Sequence, residues 1–374
     1  MTTQGPAMAT PDTETLLRAL EGKMASYNLR GQWMADQRPQ VIRKGANDQR
    51  IAEPIPSGVP HVWRWTNMLP LLHEAREAMR KSSTARRALI FTNPGLPRGT
   101  TQTMLATFQI VPAGETAWAH RHSIHALRFA VQGSEKVFTV VDGRPLMMEP
   151  YDLVLTPGWT WHDHHNESDE DAIWMDGLDV PFALGINQGF QEDFGEEMQP
   201  RTADDAAYSG MLRPRGVADP NARPYRYPWK DTLRVLDAQK NDPADPYRGR
   251  VLEYVNPLTG GAPLPTIACA IQVLPPGFEG RTFRRTASSI AMCIEGEGRT
   301  IFKDREIDWS KHDALALPNW TWHRHVNRSK RDPVILFTMS DTPILSAFGY
   351  YREETEDREA LAPSAPAARL SAAE

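Results

Sequence analysis

Pro112-Ala113-Gly114-Glu115-Thr116-Ala117-Trp118-Ala119-His120-Arg121-His122, answered further on by Pro157-Gly158-Trp159-Thr160-Trp161-His162-Asp163-His164-His165-Asn166, settles the architecture more than any other part of the chain. His120 and His122 are two residues apart, so on a β-strand both imidazoles leave the same face. His162 follows on a separate strand beyond the Asp142-Gly143 turn. Two same-face histidines and a third from a neighbouring strand can make three ligands on one side of a metal, with the opposite side open. Non-haem iron needs such an arrangement for oxygen chemistry, although the common facial triad has two histidines and a carboxylate.

Outward from these segments, short strands alternate with Gly/Pro/Asp turns: Ala88–Phe91, Met104–Val111, Ala126–Gln132, Val137–Val141, Leu153–Leu155 and Ile173–Leu178. That pattern is the signature of a jelly-roll barrel. It then repeats. Arg87-Ala88-Leu89-Ile90-Phe91-Thr92-Asn93-Pro94 matches Arg250-Val251-Leu252-Glu253-Tyr254-Val255-Asn256-Pro257, Phe108–Gly114 matches Ile271–Gly277, and Pro157–Asn166 matches Pro318–Asn327. An internal duplication of this kind means two barrels in one chain. It divides the sequence into an N-terminal helical and irregular segment (1–85), a first barrel (86–185), a connection (186–248), a second barrel (249–353) and a C-terminal tail (354–374).

The duplication is also an internal control. Where the first half has His120-Arg121-His122, the second has Phe283-Arg284-Arg285. His323 and His325 survive, but two of three ligands are gone and a guanidinium stands in place of one. The second barrel is expected to be metal-free and structural. Arg87 matches Arg250 and so serves the fold in both halves, whereas Arg86 faces Gly249 and Arg128 faces Ala291.

Composition bounds the rest. At 374 residues there is room for two domains of ordinary size, and 40% hydrophobic with 24% charged residues is a globular composition. A net charge of −5 points to neither nucleic acid nor an acidic membrane as partner. No apolar run reaches the ~20 residues of a membrane span. Met1–Thr13 lacks a signal pattern, and the only cysteines, Cys269 and Cys293, lie in apolar strand-like stretches. Both features suit the cytoplasm. Ahead of the first barrel, a short amphipathic helix is expected from Asp12 to about Ser26, then an irregular stretch to Pro60, a strand or bulky plug at His61–Trp65, and a helix over Leu69–Met79. Residues 186–248, rich in Pro, Arg and Asp, show no repeat or helical period; a connection this long normally has a functional or interface role.

Gly114, His120-x-His122 and Gly133, with Pro157 to His162 and Asn166, resemble the two motifs of the cupin superfamily, so the fold expected is a bicupin, all-β dominated. The glutamate usual after the second histidine is absent; the chain reads Ser123-Ile124-His125-Ala126-Leu127-Arg128 there. Three neutral imidazoles would then leave a divalent ion its full charge. A bidentate anion such as an ortho-hydroxybenzoate could reduce that charge, leaving one position for O2.

The wider context resembles the gentisate 1,2-dioxygenase family, which includes salicylate and 1-hydroxy-2-naphthoate dioxygenases. The residues that carry this are Asn93-Pro94-Gly95-Leu96, Gln109, His120-Arg121-His122, Arg128-Phe129, Trp159–His164 and Trp174-Met175-Asp176-Gly177-Leu178-Asp179. The resemblance implies one Fe(II) per chain in the first barrel, O2 as co-substrate, and ring opening between the carboxyl-bearing and hydroxyl-bearing carbons. It also implies a homotetramer. Gentisate would give maleylpyruvate; salicylate, 5-substituted (nitro or halo) salicylates and 1-hydroxy-2-naphthoate are the alternatives. By position, Arg86 is expected to fork onto the substrate carboxylate. Arg128 shares parity with His120 and His122 and would stabilise a bound anion or charge developing on oxygen. His164 would exchange a proton with substrate, Asp176 would orient His164 or bind a ring substituent, and Gln109 would donate to substrate. Leu105 and Thr107 would shape the pocket, while His125 and His165 are peripheral. Two other classes remain: a non-catalytic bicupin binding a small acid, and a manganese isomerase or decarboxylase, which usually keeps the glutamate missing here.

Overall fold

The computed structural model describes residues 11–31, 40–44, 50–79, 87–201, 226–257 and 259–356. It divides into two compact units, Met1–Ile55 and Pro56–Glu374. The first holds the expected helix, Pro11–Ala25, and an antiparallel hairpin of Gln40–Lys44 with Arg50–Pro54. The hairpin falls in the stretch read from sequence as irregular. Five-residue strands carry too few alternations to register as a period.

The second unit contains two barrels, each a six-stranded sheet facing a five-stranded one, with every strand pair antiparallel. In the front barrel the large sheet runs Arg226–Tyr227, Leu153–Thr156, Ala126–Gln132, Ala172–Leu178, Leu105–Val111, Arg87–Ile90; the small sheet runs Gln191–Asp193, Thr116–His122, His162–Asn166, Ser134–Val141, Arg144–Met148. The rear barrel repeats the plan, with Ala268–Leu274, Val334–Ser340 and Ser289–Glu295 central to its large sheet and His323–Asn327 central to its small one.

The main hydrophobic cluster joins the outer faces of the two large sheets. Ala106, Phe108, Ile110, Phe129 and Met175 from the front meet Ile271, Ile290, Met292, Phe337 and Met339 from the rear. Phe129 stacks on Phe337 with ring centroids 4.0 Å apart. The barrels approach closely at Gly177, where a Cβ would lie 2.4 Å from the Met339 sulfur. Because these strands bury their outer faces in this joint core, their alternate residues are left for the barrel interior. On Leu105–Val111, Phe108 and Ile110 point to the joint core while Thr107 and Gln109 point inward, and the whole strand beyond Leu105 is buried.

Each barrel has an edge strand supplied from outside its own repeat. Arg226–Tyr227 pairs onto Leu153–Val154 of the front barrel, and His61–Trp63 pairs onto Ala314–Ala316 of the rear one. These additions cover sheet edges that would otherwise present unpaired backbone groups. The strand reading at His61 and the helix reading at Leu69 both hold, the helix being Trp65–Ala78. A second helix, Trp229–Ala238, stands in the connection, where no helical period was legible. Trp229 and Leu236 pack on the joint core, while Leu233 and Val235 are exposed. Among the described residues no helix is long and apolar enough to cross a membrane.

Candidate metal centre

His120 and His122 sit on one strand of the front small sheet, and His162 begins its neighbour, directly opposite His120. Their three ligand nitrogens lie within 4.8 Å of one another. Each ring is oriented by the same device. Nδ1 of His120 meets the Trp118 carbonyl at 2.9 Å, that of His122 the Ile124 carbonyl at 2.8 Å, and that of His162 the Thr160 carbonyl at 3.0 Å. A carbonyl only accepts, so each Nδ1 carries its proton and each Nε2 presents a lone pair to the shared space. His162 Nε2 is buried with no hydrogen-bond partner among the described residues. Burial, then the nearby His120, Arg128 and His122, push the His162 pKa well below the usual imidazole value. Neutral imidazoles with converging lone pairs fit a divalent metal, and an orphaned buried nitrogen is the cost the metal would remove.

The local chain explains why the ligands stand where they do. Asp142 and Gly143 both have positive φ, 47° and 80°, which makes the tight turn behind the strand. Trp159 is also left-handed at φ 71°, and its amide donates to the His122 carbonyl at 2.6 Å. The strained residue thus ties the loop before His162 to the strand carrying the other two ligands.

The inner face of the large sheet forms the opposite wall. Strand register sets Arg128, Asp176 and Thr107 in one row across three strands, with Ala130, Trp174 and Gln109 in the next. The Asp176 carboxylate accepts from Thr107 Oγ1 at 2.9 Å and Trp174 Nε1 at 3.0 Å, and faces Arg128 Nε at 3.6 Å. Arg128 also donates to Thr156 Oγ1 at 2.6 Å. The guanidinium is almost wholly buried yet fixed on two sides, so it is a pre-set positive charge inside the barrel. Gln109 is buried, and its Nε2 has no hydrogen-bond partner among the described residues.

The profile described as "Cupin domain" matches residues 107–180 and 270–340. The 1-hydroxy-2-naphthoate 1,2-dioxygenase of Nocardioides sp. (strain KP7) is 41% identical over 348 residues, spanning 91% of this chain and 88% of that one. A gentisate 1,2-dioxygenase of Aquipseudomonas alcaligenes is 35% identical over 319 residues, spanning 82% and 90% respectively. Among solved structures, the salicylate 1,2-dioxygenase of Pseudoaminobacter salicylatoxidans in its adduct with gentisate superposes with a TM-score of 0.77 at 32% identity, covering 95% of this chain and 98% of that one. The chain belongs to the gentisate 1,2-dioxygenase family. It is a ring-cleaving dioxygenase of that type, built as a bicupin, and the family is metal-dependent.

Within this gentisate-dioxygenase-type barrel, the residues singled out from sequence fall as follows. His120, His122 and His162 come together, and Arg128, Asp176, Thr107 and Gln109 line the facing wall. Leu105 shares their strand face by alternation and is partly exposed. Arg86 lies outside the described residues. Arg87, its neighbour, donates to the Met79 carbonyl and to Glu115, each at 2.7 Å, so it serves the fold as expected. His164 lies with its ring centroid 5.8 Å from that of His162 and is held at Nδ1 by Thr139 Oγ1 at 2.8 Å. His125 accepts the Gly158 amide at 3.0 Å, and His165 pairs with Asp163 at 2.6 Å while stacking on Phe138, so both are structural. Thr139 and Thr156 escaped sequence reading, and Trp174 enters it only as part of the family resemblance, with no role at the site. Strand alternation would have put Trp174 on the Asp176 face, but nothing local distinguishes a positioning threonine from a solvent-facing one.

The rear barrel repeats the scaffold without the site. Phe283 stands opposite His323, with ring centroids 4.7 Å apart, where His120 stands opposite His162 in front. His325 meets Thr300 Oγ1 at 2.9 Å, just as His164 meets Thr139. Gln272, the counterpart of Gln109, donates to the Arg248 carbonyl at 2.8 Å. The same amide is satisfied in one barrel and unsatisfied in the other.

Proposed function

We propose that the protein is an Fe(II)-dependent dioxygenase that opens an ortho-hydroxyarene carboxylate between its carboxyl-bearing and hydroxyl-bearing carbons. The single observation carrying this reading is the convergence of three imidazoles, each turned by a carbonyl at Nδ1, on one point, with no protein carboxylate in the set. Bound iron would supply a site where a chelating substrate and O2 meet and exchange electrons. Both oxygen atoms end in the product as one ring carbon–carbon bond breaks, so no external reductant is required.

The chain's own groups bind, orient and compensate charge. Arg128, anchored by Asp176 and Thr156, holds positive charge beside the reacting oxygens. The unsatisfied Gln109 amide donates to a substrate oxygen. Arg86 forks onto the substrate carboxylate. His164, fixed at Nδ1, holds or releases a proton at Nε2 for the substrate hydroxyl. Leu105 and Thr107 bound the ring.

Gentisate, whose second hydroxyl enriches the ring, is the leading substrate, and maleylpyruvate its product. A second reading, 1-hydroxy-2-naphthoate, is favoured by the 41% identity to a relative of that name over nine-tenths of the chain. A homotetramer accompanies both readings, in keeping with exposed Trp118, Trp159, Ile186 and Phe190 near the ligand strands. The test is an oxygen-electrode screen of gentisate, salicylate, 5-substituted salicylates and 1-hydroxy-2-naphthoate, paired with metal quantification. One iron per chain and oxygen uptake are expected, and His162→Ala should abolish both. Manganese in place of iron, or no uptake with any of these acids, would refute the reading.

A further inference from the structure

The rear barrel is not filled in. A cavity of about 900 Å³ occupies it, lined among others by Phe283, Arg285, His323 and His325, the positions that correspond to His120, His122, His162 and His164 in front. The cavity opens to solvent past the exposed Asp242, Val255 and Gly260, so a small molecule can enter it. A volume of this order fits a small organic molecule.

The charges in the wall select its class. Arg248 is paired with Glu353, and Glu353 also accepts the Tyr351 hydroxyl at 2.7 Å, so that trio is internally balanced. His323 and His325 are neutral near pH 7, because burial lowers their pKa values to about 4 and about 3. Arg285 is the exception. Its guanidinium donates to Ser289 Oγ; Glu353 and the buried Asp341 lie near enough to feel its charge, but among the described residues no carboxylate is within ion-pair distance of it. The wall around these groups therefore holds one guanidinium without a direct ion pair. Arg250, which donates to the Lys240 carbonyl at 2.8 Å, also borders the cavity, as do Asp242, Asp245 and Glu253, three carboxylates that are solvent-exposed and screened by water. Phe283, with one face covered by the Arg248 guanidinium at 4.6 Å, lines the same cavity as His323 and Tyr351, and the three offer ring edges to an apolar body.

In front, an anion would meet a metal ion held by imidazoles; in the rear, a guanidinium takes the place of one of those imidazoles. We propose that the rear barrel is a second small-molecule site, taking an organic monocarboxylate whose carboxylate pairs with Arg285 and whose apolar body rests on Phe283. Arg285 still has donors to offer, and a carboxylate accepts two in parallel. No metal is needed, which separates this site from the front one.

Benzoate is the probe, because without an ortho-hydroxyl it cannot chelate. Full-length protein stripped of metal by a chelator is titrated calorimetrically with benzoate. The expected result is one benzoate per chain, unaffected by His162→Ala and weakened about ten- to a hundredfold by Arg285→Gln, the scale of a lost charge-assisted hydrogen bond. Arg285→Lys keeps the charge but not the parallel pair of donors, so its affinity should fall between those of the parent and Arg285→Gln. Ala270→Leu fills part of the cavity while leaving Arg285 in the sequence and should weaken binding at least about tenfold, which preserves the test if Arg285→Gln fails to fold. No binding at millimolar benzoate, unchanged affinity in Ala270→Leu or in folded Arg285→Gln, or loss of binding in His162→Ala would overturn the proposal.

Discussion

Gln109 and Gln272 occupy matching positions on matching strands, yet their amides meet different fates. Gln272 spends its donor on the Arg248 carbonyl, whereas Gln109 Nε2 stays buried and unsatisfied among the described residues. A buried donor without a partner costs about 1–3 kcal/mol, so a fold tolerates it where a ligand supplies the acceptor. Gln109→Ala is expected to raise KM for the preferred acid by roughly tenfold with little loss of stability, and Gln272→Ala to lower the denaturation midpoint without changing KM. Steady-state kinetics and urea melts on both variants check this; equal KM shifts would show that neither amide reads substrate. The rear histidines give a second prediction. Their folded pKa values, about 4 for His323 and about 3 for His325, lie below the usual 6.5, so between pH 6.5 and about 4 the unfolded chain binds protons that the folded protein refuses. Stability is therefore intact above pH 6.5 and falls as pH drops, by roughly 2 kcal/mol per histidine at pH 5. The double variant His323→Gln/His325→Gln should lose correspondingly less between pH 7 and 5 in denaturant titrations than the parent, and an identical loss would contradict the assignment.

At the level of elements, the edge strands decide how the repeats are joined. His61–Trp63 belongs by sequence to the segment ahead of the front barrel, but it completes the large sheet of the rear one. Asp313, almost wholly buried, fixes this crossing. It accepts from Arg64 Nη1 at 2.9 Å and from the Trp65 amide at 2.8 Å, and it also caps the Ser310 turn at 3.1 Å. Arg64 is over a third exposed, so water can replace its bond; the backbone amides cannot be so readily resolvated. Asp313→Ala is expected to cost about 1–3 kcal/mol in chemical denaturation, whereas Arg64→Ala should stay within about 1 kcal/mol. A larger effect from Arg64 would mean that the ion pair rather than the backbone contacts holds the crossing.

Taken together, the two barrels share one large hydrophobic core laid down between their large sheets, beside a smaller cluster within each barrel. Neither large sheet can cover its outer face alone, and the Phe129–Phe337 stack at 4.0 Å lies across the join. The barrels of the Pro56–Glu374 unit should therefore melt together. Phe337→Ala is expected to remove about 3–5 kcal/mol and to lower a single calorimetric transition, with loss of bound metal coincident with unfolding. Two separated transitions, with metal held through the first, would show that the front barrel is stable without the rear.

The duplication, the three ligands and the loss of ligands in the rear half were legible in the chain, because strand alternation is local and spacing alone assigns a face. His120, His122 and His162 needed only that rule and a turn. Sequence could not place Thr139 against His164, Thr156 against Arg128, or Trp174 and Thr107 around Asp176, since each contact joins strands whose register is set by distant pairing. Nor could it show that Gln109 is left unsatisfied while its twin is not, or that the rear barrel stays hollow around Arg285. Residue identity fixes which chemistry is available; how buried a group is and which partners reach it exist only once both sheets of a barrel have closed over it.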